Sequence, residues 1–465
     1  MDATIFKSCD IQGVYPGQLS ADDAWKIGVA AGRFLPSLIR GYDRGLRNTQ
    51  SLCVGRDMRT HSAELAGRLT EGIRCAGVSV IDLGQIDTPQ IYFAINHLKT
   101  CGGIQVTASH RPAQYNGFKI SGHRAVPIAT DTGLGDIQHL ASSLLHTKGN
   151  PTGTITELDM TEDYCRHVLR FLVGNLRPLK VAIDASNGMA GKLIPLLFGG
   201  LPIDVVEINF EHSGTFHHDP DPLARKNLKE LRSVVKEHKC DFGLCFDGDA
   251  ERLTVLDEKG RQVANDHLIA IMVPYFLRRK PRAVIVYDLR CSRVVSEEII
   301  KRDGTPRKVA VGQAFMKKAM RDTHAIFGGE LSGHFYYQEN FAADSGFITF
   351  VHLLNIVSES NRPLSELLKP LRRFHGSGEL SFTVDDKRKT METLAKHYGD
   401  GKISHLDGIT VDYKNWWFNC RSNSTEPVLR VNVEAKESDL LKEKVRDLVD
   451  LLGKPMGTGK HASEF

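Results

Sequence analysis

The chain has no Cys-x-x-Cys pair; its nine cysteines stand singly at positions 9, 53, 75, 101, 165, 240, 245, 291 and 420. An odd, scattered set in mostly apolar surroundings argues for reduced, buried thiols and not for a disulfide framework. No apolar stretch approaches the roughly 18 residues that read as a membrane span. The opening Met-Asp-Ala-Thr-Ile-Phe-Lys has no basic segment followed by an apolar run, so nothing there resembles a secretion signal. These absences lead us to expect a cytoplasmic protein with no membrane partner. Net charge is also scarce: 60 Lys and Arg against 56 Asp and Glu leave +4. That is too little to argue for nucleic acid, though a local basic cleft for small anions remains open.

What is present is length and order. With 465 residues, 41% of them hydrophobic and 25% charged, the chain can bury roughly three or four domain cores. A short apolar strand, a loop, a helix-length segment and a second strand recur three times. The pairs are Leu52–Asp57 with Val78–Asp82, Val181–Asp184 with Val205–Ile208, and Ala283–Asp288 with Lys308–Val311. The intervening helices are expected over segments such as Glu64–Ala76 and Ser292–Arg302. Strand, helix and strand at this spacing predict βαβ units in mixed α/β sheets, and the loose repeat predicts three related domains. Near the C-terminus, Leu429–Ala435 alternates in the manner of an antiparallel sheet with one wet face. A helix from an N-cap at Ser438 to Leu452, with Leu441, Val445, Leu448 and Leu452 on one stripe, follows. Turn-rich and basic stretches place domain boundaries at 1–150, 151–277, 278–372 and 373–465.

Four loops carry chemistry. Gly102–Val106 reads as a buried strand, so Thr107-Ala-Ser109-His110-Arg111-Pro112 lies at a strand's carboxyl end, where open α/β sheets keep their ligands. Asn116-Gly117 is a turn signal, and Lys119 follows. A Ser-His pair alone is more often a solvated loop. Asp247-Gly-Asp249-Ala-Glu251-Arg252 sets three carboxylates at alternate positions on a glycine-containing loop, a pattern that suits a hard divalent cation such as Mg²⁺ or a plain acidic turn. An EF-hand is excluded because Arg252 stands where that loop needs glycine. Gly329-Glu330-Leu331-Ser332-Gly333-His334 offers an acceptor and a hydroxyl for sugar hydroxyls. Arg421-Ser-Asn423-Ser424-Thr425-Glu-Pro427 offers a guanidinium and loop donors for an anion.

In this order the four loops resemble those of the α-D-phosphohexomutases, the phosphoglucomutase/phosphomannomutase superfamily. The likeness runs from Phe6-Lys7-Ser-Cys-Asp10-Ile-Gln12-Gly13, through Gly55-Arg56-Asp57-Met58-Arg59 and Thr88-Pro89, to about residue 435. It implies an α/β protein of four domains around a central cleft, three of them related mixed α/β domains and the last an α+β domain with an antiparallel sheet. It implies a phosphoserine enzyme that interconverts hexose 1-phosphate and hexose 6-phosphate, of mannose or glucose, through a hexose 1,6-bisphosphate. Ser109, His110, Lys119 and Arg252 become the expected catalytic residues. Asp247, Asp249, Glu251 and Ser109 become the expected Mg²⁺ ligands. Lys7, Arg111, Glu330, Ser332, Arg421, Asn423, Ser424 and Thr425 become the expected binders of a sugar-phosphate partner. A monomer or dimer is expected. A non-catalytic sugar-phosphate binder is a competing reading, because Gln12, Arg111, Glu251, Gln313 and Asn423 depart from the family pattern. A phosphoglucosamine mutase, whose branch also keeps the Glu and Ser of the sugar loop, and a Mg²⁺-dependent phosphatase, the outcome if water is not excluded, are the others. Arg111 is expected to add positive charge beside the phosphoserine.

Overall fold

The protein is described by a computed structural model for residues 1–39, 48–145, 147–422 and 427–456. Its contacts divide it into two compact units. The first comprises Met1–Pro222, Lys226–Gln262 and His334–Asn361; the second comprises Leu223–Arg225, Val263–Gly333 and the chain from Arg362 onward.

In the first unit a six-stranded sheet runs in the spatial order Ile11–Val14, Tyr115–Gly122, Thr100–Val106, Asn48–Arg56, Ser79–Gln85 and Ile155–Glu157. Asn48–Arg56 is parallel to both of its neighbours, as the helix-length separations require. Tyr115–Gly122 is antiparallel to Thr100–Val106 and to Ile11–Val14. The first helices lie over this sheet with leucine, isoleucine and alanine in one core. Gly28 and Gly72 let two of them approach closely, since a Cβ on Gly72 would sit 2.1 Å from the Trp25 carbonyl oxygen. In the second sheet Leu179–Asp184 is parallel to Ile203–Ile208 and Phe242–Phe246, and Leu253–Asp257 closes antiparallel on Phe242–Phe246. Helix Gly346–Ser360 packs there through Phe347 on Phe246 and Phe350 on Phe198, with ring centroids 5.4 and 4.6 Å apart.

In the second unit Val284–Asp288 is parallel to Thr305–Val309 and to Phe327–Gly329. A five-stranded, wholly antiparallel sheet follows, in the order His375–Thr383, Val428–Ala435, Trp416–Ser422, Ile409–Asp412 and Lys402–Ser404. Its core includes Leu441, Leu448 and Leu452 from the last helix. The expected succession of mixed sheets and an antiparallel C-terminal sheet is therefore present. All nine cysteines are free, and no helix among the described residues is long and apolar enough to cross a membrane.

Two local readings are corrected. Asn116-Gly117 is not a turn but lies within the strand Tyr115–Gly122. Glycine is needed there because a Cβ on Gly117 would sit 1.9 Å from the Ile11 carbonyl oxygen, and Asn116 is used to bond His61 and Ser62. Ser438 is the first residue of its helix, and the N-cap is Glu437, with no side-chain cap bond.

The first unit buries a histidine whose protonation opposes folding. His167 is packed against the rings of Phe93 and Phe341, and its Nε2 meets Asn340 Oδ1 at 2.8 Å. Burial pushes its pKa down to about 4, below the roughly 6.5 of an unfolded histidine. The neutral ring thus stabilises the fold above about pH 6.5, and that contribution is lost as pH falls through about 4. The stability advantage of the native protein over His167→Gln is expected to shrink between pH 7 and pH 4 in urea titrations. A pH-independent difference would contradict this.

Candidate active site

The strand Thr100–Val106 is buried at every position, and it delivers Thr107 and Ser109 into the first unit. Ser109 is 1% exposed and has φ +50, a left-handed conformation that a non-glycine residue keeps only when its surroundings fix it. Its hydroxyl donates to Asp247 Oδ2 at 3.1 Å. It also lies 3.2 Å from His110 Nδ1 and 3.4 Å from Arg252 Nη2. Arg252 donates to His110 Nδ1 as well, so that nitrogen is an acceptor and the ring is not carrying a proton there.

Asp247 follows the fully buried strand Phe242–Phe246. The loop after it turns tightly, with Ala250 at φ +57 and Arg252 N donating back to Asp247 Oδ1 at 3.1 Å. Gly248 lets this loop touch the serine loop, since a Cβ there would sit 2.7 Å from the Ser109 carbonyl oxygen. Asp247, Asp249 and Glu251 bring ligand oxygens within 4.8 Å of one another, and all three are buried. Thr88, at the first turn of Thr88–Leu98, donates its hydroxyl to Asp249 Oδ2 at 2.6 Å and its amide to the Asp249 carbonyl oxygen at 3.1 Å. Lys119 reaches the same carboxylates: its ammonium pairs with Asp249 Oδ2 at 3.0 Å and with Glu251. Tyr92 donates to Glu251 Oε2 at 3.3 Å.

Electrostatics follow from this crowding. Burial, with Asp249 beside it, raises the Asp247 carboxyl. Asp249 is held low despite its burial, by the Lys119 charge and the hydrogen bond from Thr88. Lys119 is held above its ordinary value despite burial, by Asp249, Asp10 and Asp247, so it stands as an ammonium. His334 bonds Asp344 Oδ2 at 2.7 Å through Nδ1, and burial lowers its pKa to about 4. Its backbone bridges to Arg252.

The second unit carries Glu330, Ser332 and Arg421. Glu330 is 2% exposed; its Oε1 accepts from the Gly312 amide at 3.1 Å, on a turn closed by Gly333 N donating to the Glu330 carbonyl oxygen. Ser332 is half-buried on that turn. Arg421 is buried and pairs with Glu379, which also receives Arg430 at 3.1 Å and Arg290 at 4.0 Å. Arg290 is held by Asp288 at 2.8 Å. Burial and the neighbouring Arg290 lower the Arg421 pKa. Asn423, Ser424 and Thr425 lie outside the described residues.

Family models match the chain in four consecutive stretches. Residues 3–142, 162–260 and 264–374 match the α/β/α domains I, II and III of phosphoglucomutase/phosphomannomutase, and 379–451 match its C-terminal domain. The chain belongs to the phosphoglucomutase/phosphomannomutase family. Proteins of this family to which it is similar include the "phosphohexose mutases" of Xanthomonas campestris pv. campestris, 36% identical over 97% of this chain and 100% of that one. The phosphomannomutase of Vibrio cholerae serotype O1 is 34% identical over 97% and 99%. A crystal structure of a family protein from Burkholderia thailandensis superposes with a TM-score of 0.88 at 31% identity, covering 97% of this chain and 98% of that one. The open form of Paramecium parafusin, at 15% identity and a TM-score of 0.77, shares the fold.

Set against the family pattern, the structure gathers Ser109, His110, Lys119, Arg252 and the three carboxylates into one cluster. It does not gather Lys7, which is exposed and gives its ammonium to the Thr4 carbonyl oxygen at 2.5 Å. Arg111 has its guanidinium stacked 4.4 Å from the Tyr115 ring centroid. Three residues near these groups escaped the sequence reading. Arg290 follows an apolar strand that marks only a sheet, Glu379 sits in an alternating strand with no local motif, and Arg59 is one arginine of a motif that shows likeness but no role. The donor set fits a hard divalent cation on an observation of its own: Asp249 Oδ1 is buried with no hydrogen-bond partner among the described residues, a costly arrangement for a carboxylate oxygen unless something positive meets it.

Proposed function

We propose that the chain is a phosphohexomutase that interconverts the 1- and 6-phosphates of mannose or glucose, with Ser109 as the phosphoryl carrier. The observation that carries this reading is the buried Ser109 hydroxyl, in contact with Asp247, Arg252 and His110 beside a three-carboxylate cluster. In the first half-reaction the bond from phosphorus to Ser109 Oγ breaks and a bond to a sugar oxygen forms. The sugar hydroxyl gives up its proton to a base. The hexose 1,6-bisphosphate then presents its other phosphate, whose ester bond breaks as the phosphoryl group returns to Ser109 Oγ, and the proton goes back to the product hydroxyl.

The side chains supply what these steps demand. A phosphoserine carries about −1.5 to −2 charges, and a substrate phosphate adds similar charge. Arg252 is placed to share the charge that spreads over the transferring oxygens. Asp247, Asp249 and Glu251, joined by an oxygen of the modified Ser109, would hold Mg²⁺, which supplies further neutralisation of that charge when bound. A general base contributes typically about 10² to 10⁴ in rate. His110 and Lys119 are the two candidates for that role: His110 Nδ1 carries no proton but already accepts from Arg252, and Lys119 must lose a proton before it can accept one. Glu330 and Ser332 are assigned the sugar hydroxyls. Arg421, with Arg290 and the 423–425 segment, is assigned the phosphate that is not being transferred.

Intact mass of the purified protein before and after glucose 1,6-bisphosphate, together with coupled assays on glucose 1-phosphate and mannose 1-phosphate, tests the proposal. One phosphoryl group on Ser109 and isomerised sugar are expected. No phosphate and no turnover would leave a non-catalytic binder, and free phosphate without isomerised sugar would leave a phosphatase.

Arg421→Ala tests the phosphate assignment. Charged hydrogen bonds contribute about 1.5 to 3 kcal/mol each, so KM is expected to rise about 10- to 100-fold. Glu379 retains Arg430 and Arg290 in this variant, so the effect is not one of an orphaned buried carboxylate. An unchanged KM for both sugar phosphates would remove Arg421 from the phosphate site.

A further inference from the structure

Arg59 meets Ser109 at its carbonyl oxygen and not at its hydroxyl, and four of its five guanidinium donors go to the segment that carries that hydroxyl. Arginine has five N–H donors in a rigid fork, and all five are placed. Nε donates to Asp57 Oδ2 at 3.2 Å. One terminal nitrogen donates to the carbonyl oxygens of Pro112 and Tyr115 at 2.8 and 3.0 Å. The other donates to those of Ser109 and Arg111 at 2.9 and 2.6 Å. Four carbonyls from a stretch of seven residues thus converge on one buried cation, where without it their dipoles would repel one another.

Asp57 completes the grip from the other side of Ser109. Its Oδ2 accepts from the Thr107 hydroxyl at 2.7 Å, and the Thr107 oxygen accepts from the Ser109 amide at 3.0 Å. Its Oδ1 accepts from Ser62 and from the Arg59 amide, at 2.5 and 3.0 Å. The amide and carbonyl of Ser109 are therefore both tied to one ion pair whose side chains are 0% exposed. The left-handed backbone at Ser109, which aims the hydroxyl at Asp247, lies between these two ties. The centroid of the Phe216 ring lies 5.0 Å from the guanidinium carbon.

We propose that Arg59, oriented by Asp57, is a positioning residue that fixes the 109–115 backbone so that phosphoryl transfer at Ser109 is aligned. This rests on the mutase reading. Arg59 sets how fast Ser109 gives and takes phosphate and leaves the hold on sugar phosphate unaltered. A lysine has three donors and no fork, so it can keep the buried charge but not four convergent carbonyls. Misplacement of a reacting atom by about 1 Å costs about 10²-fold in rate.

The test is Arg59→Lys with Thr107→Val as its milder companion, which removes only the hydroxyl linking Asp57 to the Ser109 amide. For Arg59→Lys, kcat is expected to fall about 10²-fold with KM within about twofold of the native value. Phosphorylation of Ser109 by glucose 1,6-bisphosphate, followed by intact mass, is expected to slow in parallel. For Thr107→Val the same split is expected at about tenfold. If Arg59→Lys does not fold, Thr107→Val decides alone. Native-like kcat in folded variants, or a fall that only matches the unfolded fraction, overturns the positioning role. A native protein that takes no phosphate from glucose 1,6-bisphosphate overturns the mutase reading instead, so the two failures are distinct.

Discussion

Ser109→Ala lowers kcat by about 10⁴-fold or more, the scale on which loss of a covalent nucleophile is felt, and the variant takes up no phosphate from glucose 1,6-bisphosphate. The expectation follows from how little else in the cluster could stand in. Asp247 is raised by burial and Asp249, and it sits against the Arg252 guanidinium at 3.1 Å. His110 is engaged by Arg252 at the very nitrogen that faces the serine. The substitution removes one oxygen and leaves the backbone ties of Ser109 to Thr107 and Arg59 untouched. The protein is therefore expected to unfold at its native midpoint, which separates chemistry from stability. Intact mass and single-turnover kinetics check it. Residual turnover above about one part in a hundred, or a phosphoryl group still present on the variant, would move the carrier to another residue.

The serine loop was legible because its residue types and order are demanded by chemistry that local sequence must supply. A nucleophile at a strand's end, a cation ten residues on and a run of alternate carboxylates each survive as a pattern. The βαβ rhythm was legible for a similar reason: short apolar runs separated by helix lengths leave few alternatives. What escaped were positions whose meaning exists only after folding. Asn116-Gly117 looks like a turn to any local rule, but its glycine serves the close approach of Ile11, a contact more than a hundred residues away in sequence. Glu379 has no neighbours in sequence that mark it, yet it is the common partner of Arg290, Arg421 and Arg430. Lys119 is marked by sequence only as an expected catalytic residue, and the fold surrounds it with acids that hold its proton on. The departure at Glu251 gains meaning in the same way: the longer side chain is the one that meets both Lys119 and Tyr92.

Lys119→Met is expected to lower stability by about 3 to 5 kcal/mol, the usual cost of stripping the partner from a buried ion pair, and a divalent cation is expected to return much of it. Three carboxylates, Asp247, Asp249 and Glu251, face two cations, Lys119 and Arg252. Removing Lys119 takes a positive charge from beside carboxylates in a place where Asp249 and Glu251 are no more than 1% exposed. Methionine keeps most of the apolar stem against the strand, so the loss is chiefly of charge. A cation that binds the folded state at these oxygens stabilises it in proportion to the logarithm of its excess over the dissociation constant. Its affinity is greater where no ammonium competes for the same oxygens. The variant is therefore expected to gain more from Mg²⁺ than the native protein does, in urea titrations run with and without the ion. Equal gains in the two proteins would mean that Lys119 and the cation do not share ligands. No gain in either would take the metal away from the Asp247, Asp249 and Glu251 loop, while the loss in the metal-free variant would still measure what the ammonium contributes to holding three carboxylates together.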